Sequence, residues 1–203
     1  MLAVFDKSVA KSSDGLSVGE QSQLSKMASW LIILPPFILV QSPAILDPRV
    51  SWLTLVKNRT HFSPVPRLFA VLDEIFCVFQ GHIDNVAVLK QQYGLNKTAD
   101  EGIIVIEAYR TLRDRDLYPS DQVVRDIQGK FVFILCDSSS KSTFIASDAD
   151  GSIPSFWGTD ANGHMVLADN EEIVKKGCGK SSAPFPKGCF FTSSGGLRSF
   201  EHP

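Results

Sequence analysis

The residues best suited to binding or catalysis follow one another within a short stretch. Arg67 stands after a proline, and the pair Gln80 and Gly81 ends a strongly apolar run just before His82. Side chains of these types bind carboxylates, exchange amide hydrogen bonds or carry a proton. Taken alone, they are also typical of plain structure. Arg67 is then a solvated charge at a strand start, and the other three belong to a turn and an exposed loop.

Asp100 and the cysteines are weaker candidates for functional residues. Asp100 lies in the pattern Thr98-Ala99-Asp100-Glu101, which is typical of a helix capping box, so a role at the helix terminus is the simplest interpretation. The cysteines lack CxxC spacing and are interpreted as reduced thiols: Cys77, Cys136, Cys178 and Cys189. We expect no metal and no cofactor, because no acidic, histidine or cysteine cluster has ligand spacing.

Composition excludes several classes of protein. With 44% apolar residues and a formal net charge of −2, the chain is neither disordered nor polycationic. No basic cluster predicts binding to nucleic acid. The apolar run from Ala28 to Val40 is shorter than the roughly 20 residues of a membrane helix and is broken by Pro35-Pro36, so no membrane insertion is expected. With no signal-peptide pattern, we expect a cytoplasmic or nuclear protein.

Strand and helix patterns become regular from Pro66 onward. The predicted strands are 2–5, 68–72, 75–79, 131–136, 142–147, 155–158, 164–168, 189–192 and 197–200. Helices are predicted from Asp84 to Tyr93, from the capping box to about 115, and from 170 to 176, with a loop opening at Gln80-Gly81. Strand pairs with helices between them predict two antiparallel sheets, stacked and covered by helices. Buried positions are expected to include Phe76, Val78, Phe131, Phe133, Ile145 and Val166.

The segment 25–61 departs from this regularity. Four prolines interrupt it, and its apolar residues show neither strand nor helix spacing. Such a segment buries little area per ordered residue, while each ordered residue costs on the order of 1 to 2 kcal/mol of backbone entropy. We therefore expect 25–61 to be the least ordered or most weakly packed part of the chain.

Two segments resemble class II glutamine amidotransferases, best known from the N-terminal domain of asparagine synthetase. Phe76 to Leu95, FCVFQGHIDNVAVLKQQYGL, is similar to the oxyanion-loop region, and Gln128 to Asn170 is similar to the strands that follow it. The chain resembles still more closely the plant aluminium-induced or auxin-induced (stem-specific) proteins, which are known for YGL and LRDR motifs. These motifs are present here as Tyr93-Gly94-Leu95 and Leu112-Arg113-Asp114-Arg115.

The resemblance implies an α+β fold, an αββα sandwich of the N-terminal-nucleophile hydrolase type. It implies a single glutamine amidotransferase type-2-like domain over 1–203, with a recognisable core over 66–203. The segment 25–61 is atypical of the family, and the family usually continues into further β structure after the last residue here. We therefore expect the sandwich to be incomplete at both places.

The resemblance also implies roles for individual residues. Arg67 falls on the arginine that holds the carboxylate of glutamine. Gln80 and Gly81 fall on the pair that donates to the oxyanion, with glutamine in place of an asparagine. Asp100 falls on the acid that pairs with the α-ammonium group of the substrate. His82 stands where the family has an acid, so a second negative partner for that ammonium is missing.

Leu2 decides between two functions of different classes. It occupies the position of the nucleophilic cysteine, and leucine has neither thiol nor hydroxyl. The preferred hypothesis is a non-catalytic, stress- or hormone-responsive binding or interaction module that takes glutamine or a related amino acid, a second copy or another protein as its partner. The alternative is a glutamine-hydrolysing amidotransferase or glutaminase in which Cys77 or a serine replaces the usual nucleophile, or the free terminal amine acts as the base. A third interpretation is an alternatively spliced or mispredicted transcript, which would explain the unusual segment 25–61.

Overall fold

A computed structural model describes residues 2–5, 37–40, 52–58, 67–115 and 121–200. The strands are β1 (Leu2–Phe5), β2 (Phe37–Val40), β3 (Trp52–Asn58), β4 (Arg67–Leu72), β5 (Ile75–Ile83), β6 (Gly129–Asp137), β7 (Ser142–Ser147), β8 (Phe156–Thr159), β9 (Met165–Ala168), β10 (Ala183–Pro184), β11 (Cys189–Thr192) and β12 (Gly196–Ser199). The α-helices are α1 (Val86–Gln92), α2 (Glu101–Arg115), α3 (Asp121–Arg125) and α4 (Glu171–Cys178). Antiparallel sheets combined with helices place the chain in the predicted α+β class.

The chain divides into two compact units, each built on one six-stranded sheet. The first unit comprises residues 1–63 and 154–185, and its strands follow the order β10-β8-β9-β1-β3-β2. The second comprises residues 64–153 and 186–203, with the order β12-β11-β7-β6-β5-β4. The two predicted antiparallel sheets are therefore present.

In the first unit, β1 is an inner strand, and α4 packs against β8 and β9. Leu2 pairs with Thr54 of β3 on one side and with Ala168 of β9 on the other. Helix α4 contributes Val174 and Cys178 to a small buried cluster with Val166 and Ala168. The side chain of Asn170 caps this helix, accepting a hydrogen bond of 2.8 Å from Glu172 N. The helix continues past its predicted end at residue 176 and stops before Gly179, whose φ of 55° suits glycine.

Two strands lie within 25–61, where the sequence showed no regular spacing. Phe37–Val40 and Trp52–Asn58 form β2 and β3, which pair antiparallel with each other, and β3 also pairs with β1. Pairing across the sheet, which local spacing does not reveal, explains why the periodicity gave no sign of these strands. The remaining residues of 25–61 lie outside the described part of the chain, and its predicted weak packing stays a prediction.

The second unit buries its main core between the sheet and the helices. Side chains from alternate strand positions form this helix-facing core, with helix residues opposite them: Ala70, Ile75, Cys77, Phe79, Ile83, Phe131, Phe133, Leu135, Phe144, Ala146 and Phe190 from strands, and Leu89, Ile104, Val105, Ile106, Ala108, Val123 and Val124 from helices. Because strand side chains alternate between faces, the intervening residues lie on the opposite face. That second face carries the candidate site.

Burial agrees with the sequence at five of the six positions named. Val78, Phe131, Phe133, Ile145 and Val166 are each at most 2% exposed. Phe76 is the exception and is only partly buried. The short helix α3, which the sequence did not predict, buries Val123 and Val124 although it has only five residues.

Helices α1 and α2 were both predicted to start too early. Helix α1 begins after Asn85 rather than at Asp84, and the Asn85 side chain makes no capping hydrogen bond but accepts from Gln128 N at 3.0 Å. Helix α2 is capped by Asp100 rather than by Thr98, since Asn96 Oδ1 accepts from Thr98 N and Oγ1 at 3.1 and 2.8 Å. The reasons differ, because Asn96 makes a local hydrogen bond near α2 whereas Asn85 bonds a residue far away in the chain.

The end of α1 agrees with the prediction in detail. Gly94 adopts a left-handed φ of 66°, and Leu95 N donates to Lys90 O at 2.8 Å. A weaker bond of 3.4 Å runs from Gly94 N to Gln91 O. These two bonds form a Schellman motif, so the YGL motif is the C-terminal cap of a helix.

Candidate functional site

Arg67 and Gln80 lie directly opposite each other on neighbouring strands. They form a cross-strand pair in the β4–β5 ladder, and each alternates with residues of the helix-facing core. Side chains in such a pair stand about 5 Å apart at their Cβ atoms and share one face of the sheet. The fold therefore brings together a guanidinium and an amide, the two groups to which the resemblance assigns the carboxylate and the oxyanion of glutamine.

Gln80 is buried, and one of its polar atoms is unsatisfied. The residue is 4% exposed, and its Oε1 has no hydrogen-bond partner among the described residues. Its neighbour on the other side is Val132 of β6, which is fully buried and offers no donor side chain. A buried carbonyl oxygen of this kind costs about 1 to 3 kcal/mol when it is left unpaired. Such atoms are rare in folded proteins, where a bound group or an ordered water usually satisfies them.

Glycine is required at position 81 because the backbones of β5 and β6 approach each other closely there. Its φ is 128°, and a Cβ placed on it would lie 2.0 Å from the carbonyl oxygen of Lys130. No side chain fits in that space. The ladder with β6 then continues through Ile83. The loop predicted from Gln80 onward is therefore wrong, because the glycine lets β5 and β6 pair closely and extends the strand.

His82 lies at the solvent side of this strand end. Its side chain is 52% exposed, and Nε2 stands 3.3 Å from Asp84 Oδ1. It pairs across the ladder with Lys130, which is also exposed. A histidine in this position supplies a donor or a cation beside the Arg67–Gln80 pair, and it does not replace the carboxylate that the resemblance places there.

Asp100 lies on the helix side of the sheet. Its Oδ1 accepts from Ile103 N at 2.9 Å, which caps α2. Gly102 next to it packs against Ala70 of β4, and the Asp100 carboxylate contributes to the raised pKa of the Cys77 thiol in the helix-facing core. The structural role predicted for Asp100 is thus confirmed. Contact with the ammonium group of a ligand stays a prediction, since Arg67 and Gln80 project from the opposite face.

Neither Cys77 nor Cys178 is an activated thiol. All of them lie in the described part of the chain, and no disulfide joins them. Burial raises the pKa of Cys77 far above its usual range, and the neighbouring Cys136 and Asp100 raise it further. Burial, followed by the charge of Asp160, raises the pKa of Cys178 to about 12. A reactive cysteine needs the reverse, a lowered pKa and access to solvent.

A second polar centre surrounds Asp137, at the end of β6. The residue is fully buried, yet its two carboxylate oxygens accept hydrogen bonds from four residues: Arg113, Tyr109, Ser139 and Ser140. The Arg113 bond measures 2.9 Å and the Ser139 hydroxyl bond 2.6 Å. Burial alone would raise the pKa of Asp137, but the bonds from Ser139, Arg113 and Ser140 outweigh it and hold the pKa well below its usual range.

This centre explains the LRDR motif, which sequence reasoning recognised only as a family mark. Its first arginine, Arg113, lies in the last turn of α2 and donates hydrogen bonds to Asp137 and Ser139 at the turn between β6 and β7. The contact joins residues 24 positions apart, so local patterns gave no sign of it.

Two further findings concern metal binding and membrane helices in the described part of the chain. Within them, no group of three or more histidine, cysteine, aspartate or glutamate side chains is arranged to hold a metal ion. None of the described helices is long and apolar enough to cross a membrane.

Sequence comparison finds relatives of two kinds. The stem-specific protein TSJT1 of Nicotiana tabacum is 48% identical over 148 residues, which are 72% of this chain and 99% of that protein. Asparagine synthetase B (glutamine-hydrolyzing) of Escherichia coli strain K12 is 27% identical over 126 residues, which are 60% of this chain and 21% of the synthetase. This chain therefore spans about a fifth of the synthetase.

Solved structures show the same fold. The glutamine phosphoribosylpyrophosphate amidotransferase of B. subtilis superposes with a TM-score of 0.52 at 16% identity, covering 67% of this chain and 32% of that one. A structure described as the allosteric regulatory enzyme of purine biosynthesis gives a TM-score of 0.51 at 16% identity, with 64% and 29% covered. These likenesses confirm the α+β fold of the N-terminal-nucleophile hydrolase type.

The family match extends over almost the whole sequence. A family described as "Aluminium induced protein" matches residues 2–203. It thus includes β1 and the segment 25–61, both of which stand outside the core recognised from sequence. With this match and the near-complete coverage of the tobacco relative, the chain belongs to the aluminium-induced protein family.

Proposed function

We propose that this protein is a non-catalytic glutamine amidotransferase-like module that binds glutamine or a related amino acid through Arg67 and Gln80. The observation that carries the proposal is the cross-strand pair itself, in which a buried amide with an unsatisfied oxygen stands beside a guanidinium. Arginine pairs with a carboxylate through two parallel hydrogen bonds, and this pairing orients the ligand. The description of the family supports a role in the response to stress.

The residues of β1 and the buried Cys77 support binding without hydrolysis. Strand β1 carries leucine, alanine, valine and phenylalanine, none of which attacks an amide. Cys77, the internal candidate of the alternative hypothesis, is fully buried in the helix-facing core with a raised pKa. A thiol held protonated and away from solvent is a poor nucleophile. A protein partner, a second copy as partner and a cytoplasmic or nuclear location stay predictions.

Calorimetry with L-glutamine tests the proposal on the purified full chain. We expect measurable binding that weakens roughly 10-fold or more in Arg67→Ala, because a charge-assisted bidentate pair is lost. Arg110→Ala is the matched control, since Arg110 forms surface ion pairs with Asp73 and Glu107 away from Gln80. Ammonia release is measured in the same preparations and is expected to stay at the level of buffer.

Two outcomes would contradict the proposal. Glutamine binding that persists unchanged in Arg67→Ala would place the ligand elsewhere. Ammonia release by the wild type that disappears in Cys77→Ala would support the hydrolase alternative instead.

A further inference from the structure

We propose that a second copy of this chain pairs with β4, so that the edge strands of two copies join their sheets in an antiparallel dimer. The inference goes beyond the proposed function, because it concerns the edge of a sheet and not the binding of a ligand. Among the described strands, β4 pairs with β5 alone and ends the six-stranded sheet of the second unit. The outward N–H and C=O groups of such an edge are a template for a further strand.

The sequence of β4 lacks the features that keep edge strands apart. Residues 68–72 read Leu-Phe-Ala-Val-Leu, without a proline or a charge. Phe69 is 38% exposed and Val71 is 39% exposed, and they are two of the four exposed large apolar side chains in the described part of the chain. The strand at the other edge, β12, differs because Gly196 and Arg198 are among its four residues. The edge at β4 is therefore the one suited to pairing.

One register makes β4 complementary to itself. In a twofold-symmetric antiparallel pair centred on Ala70, Phe69 lies opposite the partner's Val71, and Val71 opposite the partner's Phe69. Leu68 then lies opposite the partner's Leu72, and both residue types pack against the helix-facing core of their own copy. Opposite residues of a ladder project to the same face, so each exposed apolar side chain covers another.

The charges at the ends of the strand select this register. Arg67 lies opposite the partner's Asp73, and Asp73 opposite the partner's Arg67, which gives two ion pairs. The Asp73 side chain is 71% exposed, and its Oδ2 accepts from Arg110 at 3.0 Å. A carboxylate has further lone pairs for a second cation. A shift of two residues sets either Arg67 against Val71 or Phe69 against Asp73, and both ion pairs are then lost.

Helix α2 leaves space for the second copy. It packs over both β4 and β5, and Gly102 lets it approach Ala70 closely. Because neighbouring strands are about 4.8 Å apart, the midlines between β4 and β5 of the two copies would be separated by two spacings, about 10 Å. Packed helices have axes about 8 to 10 Å apart. The two α2 helices can therefore lie side by side over the joined sheet.

Analytical ultracentrifugation of the purified full chain tests the pairing. We expect a dimer that forms at roughly 10 to 100 µM and dissociates on dilution, because one strand and one helix from each copy make a small interface. Arg67 also belongs to the proposed ligand site, where a ligand carboxylate would compete with the partner's Asp73. The measurements are therefore made in ligand-free buffer, where the outcome does not depend on the proposed function.

A lysine on the exposed face of β4 should abolish the dimer. Val71→Lys sets an ammonium group against the partner's Phe69 at two symmetric places, and we expect the dissociation constant to rise roughly 100-fold or more. Leu197→Lys is the matched control, since Leu197 is 42% exposed on β12 at the other edge of the same sheet. It should leave the dissociation constant unchanged. Circular dichroism checks that both variants are folded.

A charge exchange tests the register. Arg67→Glu sets acids opposite each other at both ends of the pair, and Asp73→Lys sets cations opposite each other, so each variant alone should dimerise roughly 10-fold more weakly. In an equimolar mixture the heterodimer regains both ion pairs, and its dissociation constant should return to within about threefold of the wild type. A fault in the folding of either variant would persist in the mixture, so recovery reports the contact itself.

Three results would overturn the proposal. The first is a wild type that stays monomeric up to about 1 mM. The second is a Val71→Lys protein that dimerises as tightly as the wild type, or a Leu197→Lys protein that dissociates as fully as Val71→Lys, since either places the interface elsewhere. The third is a mixture of folded Arg67→Glu and Asp73→Lys chains that associates no better than the separate variants, because the pairing centred on Ala70 requires recovery.

Discussion

Asp137 and Gln80 are both buried polar residues of the same sheet, and they differ in how they are satisfied. Asp137 is fully buried and accepts hydrogen bonds from Arg113, Tyr109 and two serines. Gln80 is 4% exposed and has an oxygen without a partner among the described residues. Their ladder positions are five residues apart on β6, about 17 Å along the strand. The two ends of one strand pair thus differ in how their buried polar groups are satisfied.

The difference separates structure from binding. A buried polar network whose members are all satisfied stabilises one arrangement of the chain and leaves nothing for a ligand. A buried polar atom without a partner lowers stability until something binds to it. By this criterion the LRDR arginine serves the fold, although it is a motif of the family, and the candidate ligand site lies at the other end of β5.

Removal of Arg113 should give the largest effect. Arg113→Ala leaves the buried Asp137 carboxylate without its cationic partner, and we expect the free energy of unfolding to fall by about 2 to 3 kcal/mol. This is below the loss for a fully buried pair, because the Arg113 side chain is 31% exposed and partly screened. Urea denaturation followed by circular dichroism measures the change.

Arg110 provides the matched control for this experiment. It lies one turn earlier on α2 and pairs with the exposed Asp73 and the partly buried Glu107. Arg110→Ala is expected to cost less than about 1 kcal/mol. Equal losses in the two variants would mean that Asp137 is no more dependent on its partner than a surface residue.

Acid should weaken the Asp137 centre next. The pKa of Asp137 is lowered in the folded protein from its ordinary value of 3.8, so the unfolded chain binds the proton first as the pH falls. The stability supplied by this carboxylate is complete above pH 3.8 and is lost below it. Between pH 6 and pH 3 we expect the stability difference between wild type and Asp137→Asn to shrink by on the order of 1 to 2 kcal/mol.

Denaturation curves at several pH values measure this change. The exposed Asp150 supplies the control for the substitution itself, and Asp150→Asn should change the free energy of unfolding little at pH 6. A difference from wild type that stays constant with pH for Asp137→Asn would show that its carboxylate titrates alike in the folded and unfolded chains.

How much of this could be predicted from the sequence depends on the range of the interactions. The cap at Gly94 and Leu95 was predicted correctly because all its bonds lie within one turn of helix. The start of α2 was displaced because Asn96 accepts from the N–H of Thr98, the predicted cap, whereas Asn85 at the start of α1 bonds the distant Gln128 N. Strand β3 was missed because its partners are distant in the chain, and no spacing within Trp52–Asn58 reveals them.

The candidate site, too, could be predicted from the sequence only where its interactions are local. The resemblance singled out Arg67 and Gln80 separately, and the ladder register places them opposite each other. It did not indicate that the strand would continue past Gln80, since that depends on the missing side chain of Gly81 beside Lys130. Neither the contact between Arg113 and Asp137 nor the unsatisfied oxygen of Gln80 has a local signature, because both depend on which groups meet in space.

Gln80→Leu should have the smallest effect on stability, and the opposite sign to the Asp137 variants. In the protein without ligand this change removes a buried oxygen that has no partner, and Leu meets the apolar Val132 across the ladder. We expect the free energy of unfolding to stay unchanged or to rise by up to about 1 kcal/mol.

Tyr109→Phe is the comparison, because it removes a hydroxyl that donates to Asp137 at 3.1 Å, and its free energy of unfolding should fall by about 1 kcal/mol. Thermal and urea denaturation of both variants in ligand-free buffer measure whether each substitution raises or lowers the free energy of unfolding. A Gln80→Leu protein that loses as much stability as Arg113→Ala would mean that the amide is already satisfied in the resting protein, and the distinction between the two ends of the sheet would no longer hold.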